Sequence, residues 1–148
     1  MGNMQIDVTG LDGVMTRLSA IERRMADLAP AFDAIEPLLM RSISQNFDAG
    51  GRPGWAPRKK DVPWPPLQRT GALRQSATSG IDRRQALGIG ASVLELAATL
   101  SYAKYQQFGT YSKGHPKGIT PRPFVVFQSE DVPALTRIIL LWVLLGQT

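Results

Sequence analysis

The residues that could carry catalysis are few in this sequence, and they stand far apart. His115 is the single histidine among the 148 residues, and the chain contains no cysteine. In the stretch KGHPKG, His115 has neither a second histidine nor a cysteine with which it could share a metal ion. We therefore expect His115 to be an exposed loop residue. A Ser-His-acid arrangement is also improbable, because no histidine is available within a buried element.

The carboxylates form neither a catalytic pair nor a metal site. Asp61 lies in a basic loop, Glu95 stands alone in a predicted strand, and Glu130 and Asp131 come where a helix starts. Acidic side chains at a helix start are explained by the helix dipole, and no spacing matches a two-metal nuclease. The stretch GIGASV has two glycines of a dinucleotide fingerprint but lacks the third. The sequence thus predicts no enzyme, no metal and no cofactor.

Positive charge and aromatic rings are concentrated in one stretch instead. The chain carries a formal net charge of +5. Residues 52–74 contain six Lys and Arg residues with Asp61 as the single acid, and Trp55 and Trp64 flank the bases at 58–60. Bases interleaved with aromatic rings suit stacking on single-stranded nucleic acid, but a protein contact uses the same residue types. Solvated loops, a nucleic-acid-binding module and an assembly contact all stay open at this point.

The spacing of apolar residues predicts helices near both ends of the chain. Residues 11–28 place apolar side chains at steps of three and four, which is one stripe of an amphipathic helix. Pro30 suits the first turn of a second helix that runs to Phe47, and Pro37 should kink this helix or mark its true start. A C-terminal helix follows a Ser129 N-cap. Its second half is apolar on nearly all sides, so it must be buried against a sheet or another subunit.

Alternating apolar residues and turn residues predict strands between these helices. Short strands are expected at MQIDVTG, in RRQALGIGASVLELAATL with turns at Asp82–Arg84 and near Ser92, and at FVVF. SYAKYQQFG predicts a short helix from a Ser101 N-cap to Gly109. Two long loops cover residues 48–68 and 110–123. The predicted fold class is α+β in a single domain of residues 1–148, with the C-terminal helix packed on a small antiparallel β-sheet.

Four motifs follow one another along the chain. They are NFDAGGRPGWAP with Phe47 and Trp55, then LQRTGALRQS with Thr70, Gly71, Leu73 and Arg74, then SYAKYQQFGT with Tyr102, Ala103, Gln107, Phe108 and Gly109, and finally TPRPF with Pro121, Arg122, Pro123 and Phe124. In this order and spacing they resemble the phage virion morphogenesis family, the tail-completion proteins of Mu-like and P2-like tailed phages. The resemblance covers residues 5 to 145, and Gln106 departs from it where the family pattern has His.

The resemblance implies a structural virion protein without enzymatic activity. It would be a tail terminator or tail-completion subunit in a ring, commonly of six subunits, that caps the tail tube at the head–tail junction and lets DNA pass. Its partners would be further copies of itself, the tail tube protein and the neck or head-completion protein, with non-specific contact to genomic DNA in the channel. It would act in the tail–neck region of the virion after assembly in the host cytoplasm.

Eleven residues are expected at a subunit interface or at the DNA channel: Trp55, Arg58, Lys59, Lys60, Trp64, Arg69, Arg74, Tyr102, Phe108, Arg122 and Trp142. We also expect the loop of residues 48–68 to settle only when the ring forms. No membrane contact is predicted, because the most apolar run, Ile138–Leu145, is far shorter than the roughly 20 residues of a membrane span. A basic nucleic-acid-binding module is the alternative function, and a small nuclease comes third.

Overall fold

The computed structural model describes residues 10–58, 60–78, 87–89, 93–96, 98–110 and 118–148. Its helices are α1 (Leu11–Ala26), α2 (Ala29–Ala49), α3 (Ala72–Thr78), α4 (Ala103–Phe108) and α5 (Val132–Leu145). Two three-residue strands, β1 (Leu87–Ile89) and β2 (Leu94–Leu96), pair antiparallel with Leu87 opposite Leu96. The predicted N-terminal strand, the turn at Asp82–Arg84 and His115 lie outside the described residues.

The prediction of an α+β fold is wrong, because the described part of the chain is mainly helical. Strand pairing within the described residues is limited to the β1–β2 ribbon. Two strands of three residues are too short to form a layer on which a helix could pack. The C-terminal helix α5 packs mainly on helix α2 instead, through Leu135, Ile138 and Ile139.

The predicted strand at residues 124–127 is also wrong, because its backbone is bonded by side-chain amides and not by a neighbouring strand. The Gln107 side-chain oxygen accepts the N–H of Phe124 at 2.9 Å and that of Val125 at 3.1 Å. The Asn46 side-chain amide donates to the Phe124 carbonyl at 2.9 Å. These amides satisfy backbone groups that a strand ladder would otherwise satisfy.

Helix α2 is the centre of the fold and carries both clusters of buried side chains. Pro30 stands in its first turn as predicted, but the helix continues through the exposed Pro37, so Pro37 does not mark the start. The first cluster comprises Phe32, Ile35 and Leu39, with partly buried Leu28, Leu94, Leu96, Leu135, Ile138 and Ile139. The second comprises Ile43, Phe47, Leu73, Ala77, Ala103 and Phe124. Burial on both sides of Pro37 offsets the roughly 3 kcal/mol that an interior proline costs.

The two predicted serine caps are wrong. Helix α4 follows Tyr102 and not Ser101, and helix α5 follows Asp131 and not Ser129. Neither helix has a side-chain cap; the Asp131 carboxylate instead accepts a hydrogen bond from the Ser42 hydroxyl of α2. Helix α4 ends at Gly109 as expected, where a positive φ of 75° suits glycine.

Helix α1 contacts the rest of the described chain only through its last turns. Residues 10–19 are all exposed, whereas Ala20, Ile21 and Arg24 are partly buried. The Arg24 guanidinium donates to the carbonyls of Val143 and Leu144 at 3.1 and 3.0 Å. The predicted apolar stripe exists, but its members Leu11, Val14, Met15, Leu18 and Met25 are between 53% and 60% exposed. Its other members, Ile21 and Leu28, are partly buried, and Leu28 packs against the first cluster.

Candidate functional site

The four motif segments, which are far apart in sequence, meet around the side chain of Phe47. The ring centroid of Phe47 lies 5.7 Å from that of Trp55, edge to face, and 5.6 Å from that of Phe124. The Trp55 indole N–H donates to the Pro123 carbonyl at 2.7 Å. Leu73 and Ala103 from the other two motifs belong to the same buried cluster. We call this junction of Phe47, Trp55, Leu73, Ala103 and Phe124 the Phe47 knot.

Arg122 joins the last motif to the first and third motifs. Its Nε donates to the Ala56 carbonyl at 3.0 Å, and its Nη2 donates to the Pro57 carbonyl at 3.2 Å. Its backbone N–H donates to the Gln106 carbonyl at 2.7 Å. At Gln106 this bond is made by the backbone, so it does not depend on which side chain stands at this position.

Arg52, counted with the surface bases in the sequence, is a bonded structural residue. Its Nε donates to the Asn46 side-chain oxygen and its Nη2 to the Ser42 carbonyl, both at 2.9 Å, and its Nη1 pairs with Glu130. Gln128 donates to the Arg52 carbonyl at 2.7 Å. Guanidinium groups hydrogen-bonded in this way fix a loop to the elements that it touches.

Sequence reasoning missed Asn46 and Gln128 as residues of this network. Asn46 is fully buried on α2 and binds three different segments, those of Phe124, Arg52 and Gln128. One signal was available, because Asn46 directly precedes Phe47 on the inward side of α2. A polar side chain on a buried stripe needs hydrogen-bond partners.

The ends of the loop at residues 48–68 are fixed within the single chain. Gln68 donates to the Phe47 carbonyl at 2.8 Å, and Arg74 pairs with Asp48 at 2.7 Å. Gly51 has a φ of 102°, and a Cβ at this position would lie 2.5 Å from the Trp55 ring. Both ends of the loop thus have bonding partners within the described chain, and the expectation that the loop settles only in a ring stays a prediction.

An open cleft of about 480 Å³ lies beside the Phe47 knot. Six of the eleven predicted site residues line it: Arg58, Lys60, Trp64, Arg69, Tyr102 and Arg122. Its other lining residues are Val62, Leu67, Thr70, Leu73 and Gln106, so the described lining contains no Asp or Glu. We call it the basic cleft. Four cationic groups beside two aromatic rings can hold a phosphate or a carboxylate, and can stack a planar group.

The bases of the basic cleft differ in how far they are already engaged. Arg58 donates to the carbonyls of Trp64 and Pro65 and so closes the loop on itself. The guanidinium carbon of Arg69 lies 5.5 Å from the centroid of the Trp64 ring, which is a cation–π contact. Within the described chain neither Lys60 nor Arg69 has an ion-pair partner. These two side chains are available to an anionic ligand.

The remaining predicted site residues lie elsewhere. Trp55 is in the Phe47 knot, Arg74 is paired with Asp48, and Lys59 lies outside the described residues. Trp142 ties α5 to the end of α1 by donating to the Asp27 carbonyl at 2.8 Å. Phe108 is 75% exposed at the edge of a second groove. A role of these residues toward a partner stays a prediction.

The described residues contain no group of three His, Asp or Glu side chains placed to hold a metal ion. None of the helices described here has both the length and the apolar content to cross a membrane.

Comparison with known proteins gives one similarity that runs along most of the chain. The sequence is 26% identical over 129 residues to Mu-like prophage FluMu G protein 2 of Haemophilus influenzae, covering 86% of this chain and 87% of that protein. This similarity supports a Mu-like phage protein, in agreement with the resemblance carried by the four motifs. No family model and no solved structure matches the chain.

Proposed function

We propose that this protein is a structural subunit of a phage virion that terminates or completes the tail. It acts in a ring, of six subunits by analogy with the family it resembles, which caps the tail tube at the head–tail junction and lets DNA pass. It acts without catalysis. The observation that carries the proposal is the similarity to FluMu G protein 2 over 86% of the chain. The folding of all four family motifs into one knot supports it.

The surface of the chain suits assembly. Large apolar side chains of α1 and α5 remain exposed, as expected of a subunit whose contacts lie partly outside its own chain. A ring requires each subunit to offer two different surfaces, one to each neighbour. Facing a channel, the basic cleft would attract phosphates without reading their sequence. The proposed partners are therefore further copies, the tail tube protein, the neck protein and passing DNA.

Deleting the gene from the phage that carries it tests this function. If the protein ends tail growth, electron microscopy of the lysate will show tails of abnormal and variable length. If it completes the joint afterwards, tails of normal length will accumulate without attached heads. Supplying the wild-type chain from a plasmid should restore infectious particles in either case. A normal yield of infectious particles from the deletion phage would overturn the proposal.

A nucleic-acid-binding module is the second candidate function, and the basic cleft is the observation that favours it. Such a module would bind DNA tightly as a monomer, with an affinity that falls steeply as salt rises. We would measure binding of a single-stranded oligonucleotide by the wild type and by the Lys60→Glu/Arg69→Glu variant. Arg23→Glu, a change at an exposed residue of α1 that does not line the cleft, is the control. Weak binding that both variants leave unchanged would exclude the module.

A further inference from the structure

We infer that helix α1 of one subunit docks in the apolar groove on the outer face of α5 of a second copy of this chain. The inference deepens the proposed ring by naming a contact that would build it. It begins from the fact that residues 10–19 are all exposed. A helix of 16 residues is marginal in water without tertiary contacts. Within the part of the chain that the structure describes, the first half of α1 therefore lacks the burial that stabilises a helix.

The groove on α5 has the complementary character. It has a volume of about 440 Å³ and is lined by Val132, Pro133, Thr136, Arg137, Leu140, Leu141, Leu144 and Leu145. Its members Val132, Leu140, Leu144 and Leu145 are between 51% and 59% exposed. The opposite side of α5 already packs on α2 through Leu135, Ile138 and Ile139. An amphipathic helix laid in an apolar groove is a common way for proteins to bind each other.

A second copy fits this groove better than the chain's own α1. Within one chain α1 and α5 meet at their C-terminal ends, where Arg24 binds the carbonyls of Val143 and Leu144. That arrangement leaves both the α1 stripe and the α5 groove uncovered. Each chain thus offers one helix and one groove, which is the one-to-one match that a head-to-tail ring needs.

The exposed area is sufficient for a specific contact. Nine apolar side chains of α1 and α5 are more than half exposed: Leu11, Val14, Met15, Leu18, Met25, Val132, Leu140, Leu144 and Leu145. At about 60–100 Å² each they supply on the order of 500–900 Å² of apolar surface. Interfaces are roughly 60% apolar, so the complete contact would bury about 800–1,500 Å². This range includes the roughly 1,000 Å² expected of a specific interface.

The two surfaces also carry opposite charges. Glu22 lies four residues after Leu18 and three before Met25, which places it on the apolar stripe of α1. Arg137 lies in the α5 groove. Among the described ion pairs neither Glu22 nor Arg137 takes part. Docking of α1 on α5 of a neighbour would bring one acid to one base, and a desolvated pair of this kind fixes register and partner choice.

Charge reversal tests this contact on the purified full-length chain. We would measure mass by light scattering and the association constant by sedimentation velocity for Glu22→Arg, Arg137→Glu and the double variant. We expect the wild type to self-associate and each single reversal to weaken association about tenfold or more. The double variant should return to within about threefold of the wild type. Arg23→Glu lies on α1 but off the stripe, so it should leave association unchanged.

We expect every variant to fold, since all the changed side chains are exposed. Circular dichroism would check this. A wild-type chain that stays monomeric at high micromolar concentration, or that binds another tail protein through this face, would overturn the inference. So would single reversals that have no effect on an oligomer. In the last case the proposed function stands with a different contact surface. A normal phage yield after gene deletion would instead contradict the function itself.

Discussion

The Phe47 knot and the α1–α5 surface contain similar apolar side chains but differ in how deeply these are buried. By the α1–α5 surface we mean the apolar stripe of α1 together with the apolar groove of α5. In the knot Phe47 and Phe124 are 1% exposed, and the backbone around them is bonded to side chains from other segments. On the α1–α5 surface nine apolar side chains are more than half exposed. Among the described residues the side chains of the first region are buried by their own chain, and those of the second remain exposed. The buried motif residues of the Phe47 knot therefore build the fold, whereas the contact we infer between subunits uses residues of α1 and α5 that the motifs do not contain.

The largest effect on stability should come from removing the aromatic side chain of Phe47 from the Phe47 knot. Phe47→Ala removes the contacts with Trp55 and Phe124 and leaves a cavity, so we expect the free energy of unfolding to fall by about 3–5 kcal/mol. Phe108→Ala is the matched control, because removing this exposed side chain should lower the free energy of unfolding by less than about 0.5 kcal/mol. Urea unfolding measures both variants. Equal effects would contradict the division between buried knot and exposed surface.

A smaller loss of stability is expected from substituting Gly50 or Gly51, the two glycines at which the loop turns beneath Trp55. Both Gly50 and Gly51 have positive φ, but a Cβ has open space at Gly50 and meets the Trp55 ring at Gly51. Gly50→Ala should lower the free energy of unfolding by about 1–2 kcal/mol for the backbone conformation alone. Gly51→Ala should add an overpacking cost, for a total of about 2–4 kcal/mol. If thermal and urea unfolding gave the same value for both variants, Trp55 would not pack as described.

The next largest effect on stability should come from removing the buried side-chain amide of Asn46 in α2. Asn46→Ala leaves the Phe124 carbonyl without its donor and Arg52 Nε without its acceptor, so we expect a loss of roughly 1–3 kcal/mol. The neighbouring Gln45→Ala, on the exposed side of the same helix, should be nearly neutral. Hydrogen exchange would add a second readout, since opening of the loop around Arg52 should accelerate. Unchanged exchange in Asn46→Ala would mean that other contacts hold this loop.

Sequence periodicity predicted α1, α2 and α5 because a helix leaves a local trace, but it did not predict the seven-residue helix α3. The first turn of α2, which contains Pro30, follows from residues close in the chain, and so does the α1 stripe. Periodicity reports that a helix has an apolar side, but not whether the partner of that side belongs to the same chain. For this reason the stripe of α1 was predicted correctly, while its exposure could not be predicted.

Long-range polar contacts explain the strand that was predicted and not found. FVVF has the β-branched and aromatic composition of a strand, but the amides of Gln107 and Asn46 take the place of a neighbouring strand. Arg52 was counted as a surface base for a similar reason, because its partner Glu130 is 78 positions away. The bases that line the basic cleft could be noted from the sequence as one group, since most of them and Trp64 come from the single stretch 58–69, but the cleft itself was not predicted.

The smallest effect on stability should come from the α1 stripe, and there the comparison of the two regions is sharpest. At a concentration where the chain is monomeric, Leu18→Ala should change the free energy of unfolding by less than about 0.5 kcal/mol, because Leu18 is more than half exposed and belongs to neither buried cluster. The same substitution at the buried Leu39 of α2 should cost about 2–5 kcal/mol. At higher concentration Leu18→Ala should weaken self-association, whereas its stability as a monomer stays unchanged. A loss of 2 kcal/mol or more in the Leu18→Ala monomer would mean that one chain already covers α1, and the distinction between a completed knot and an open surface would not hold.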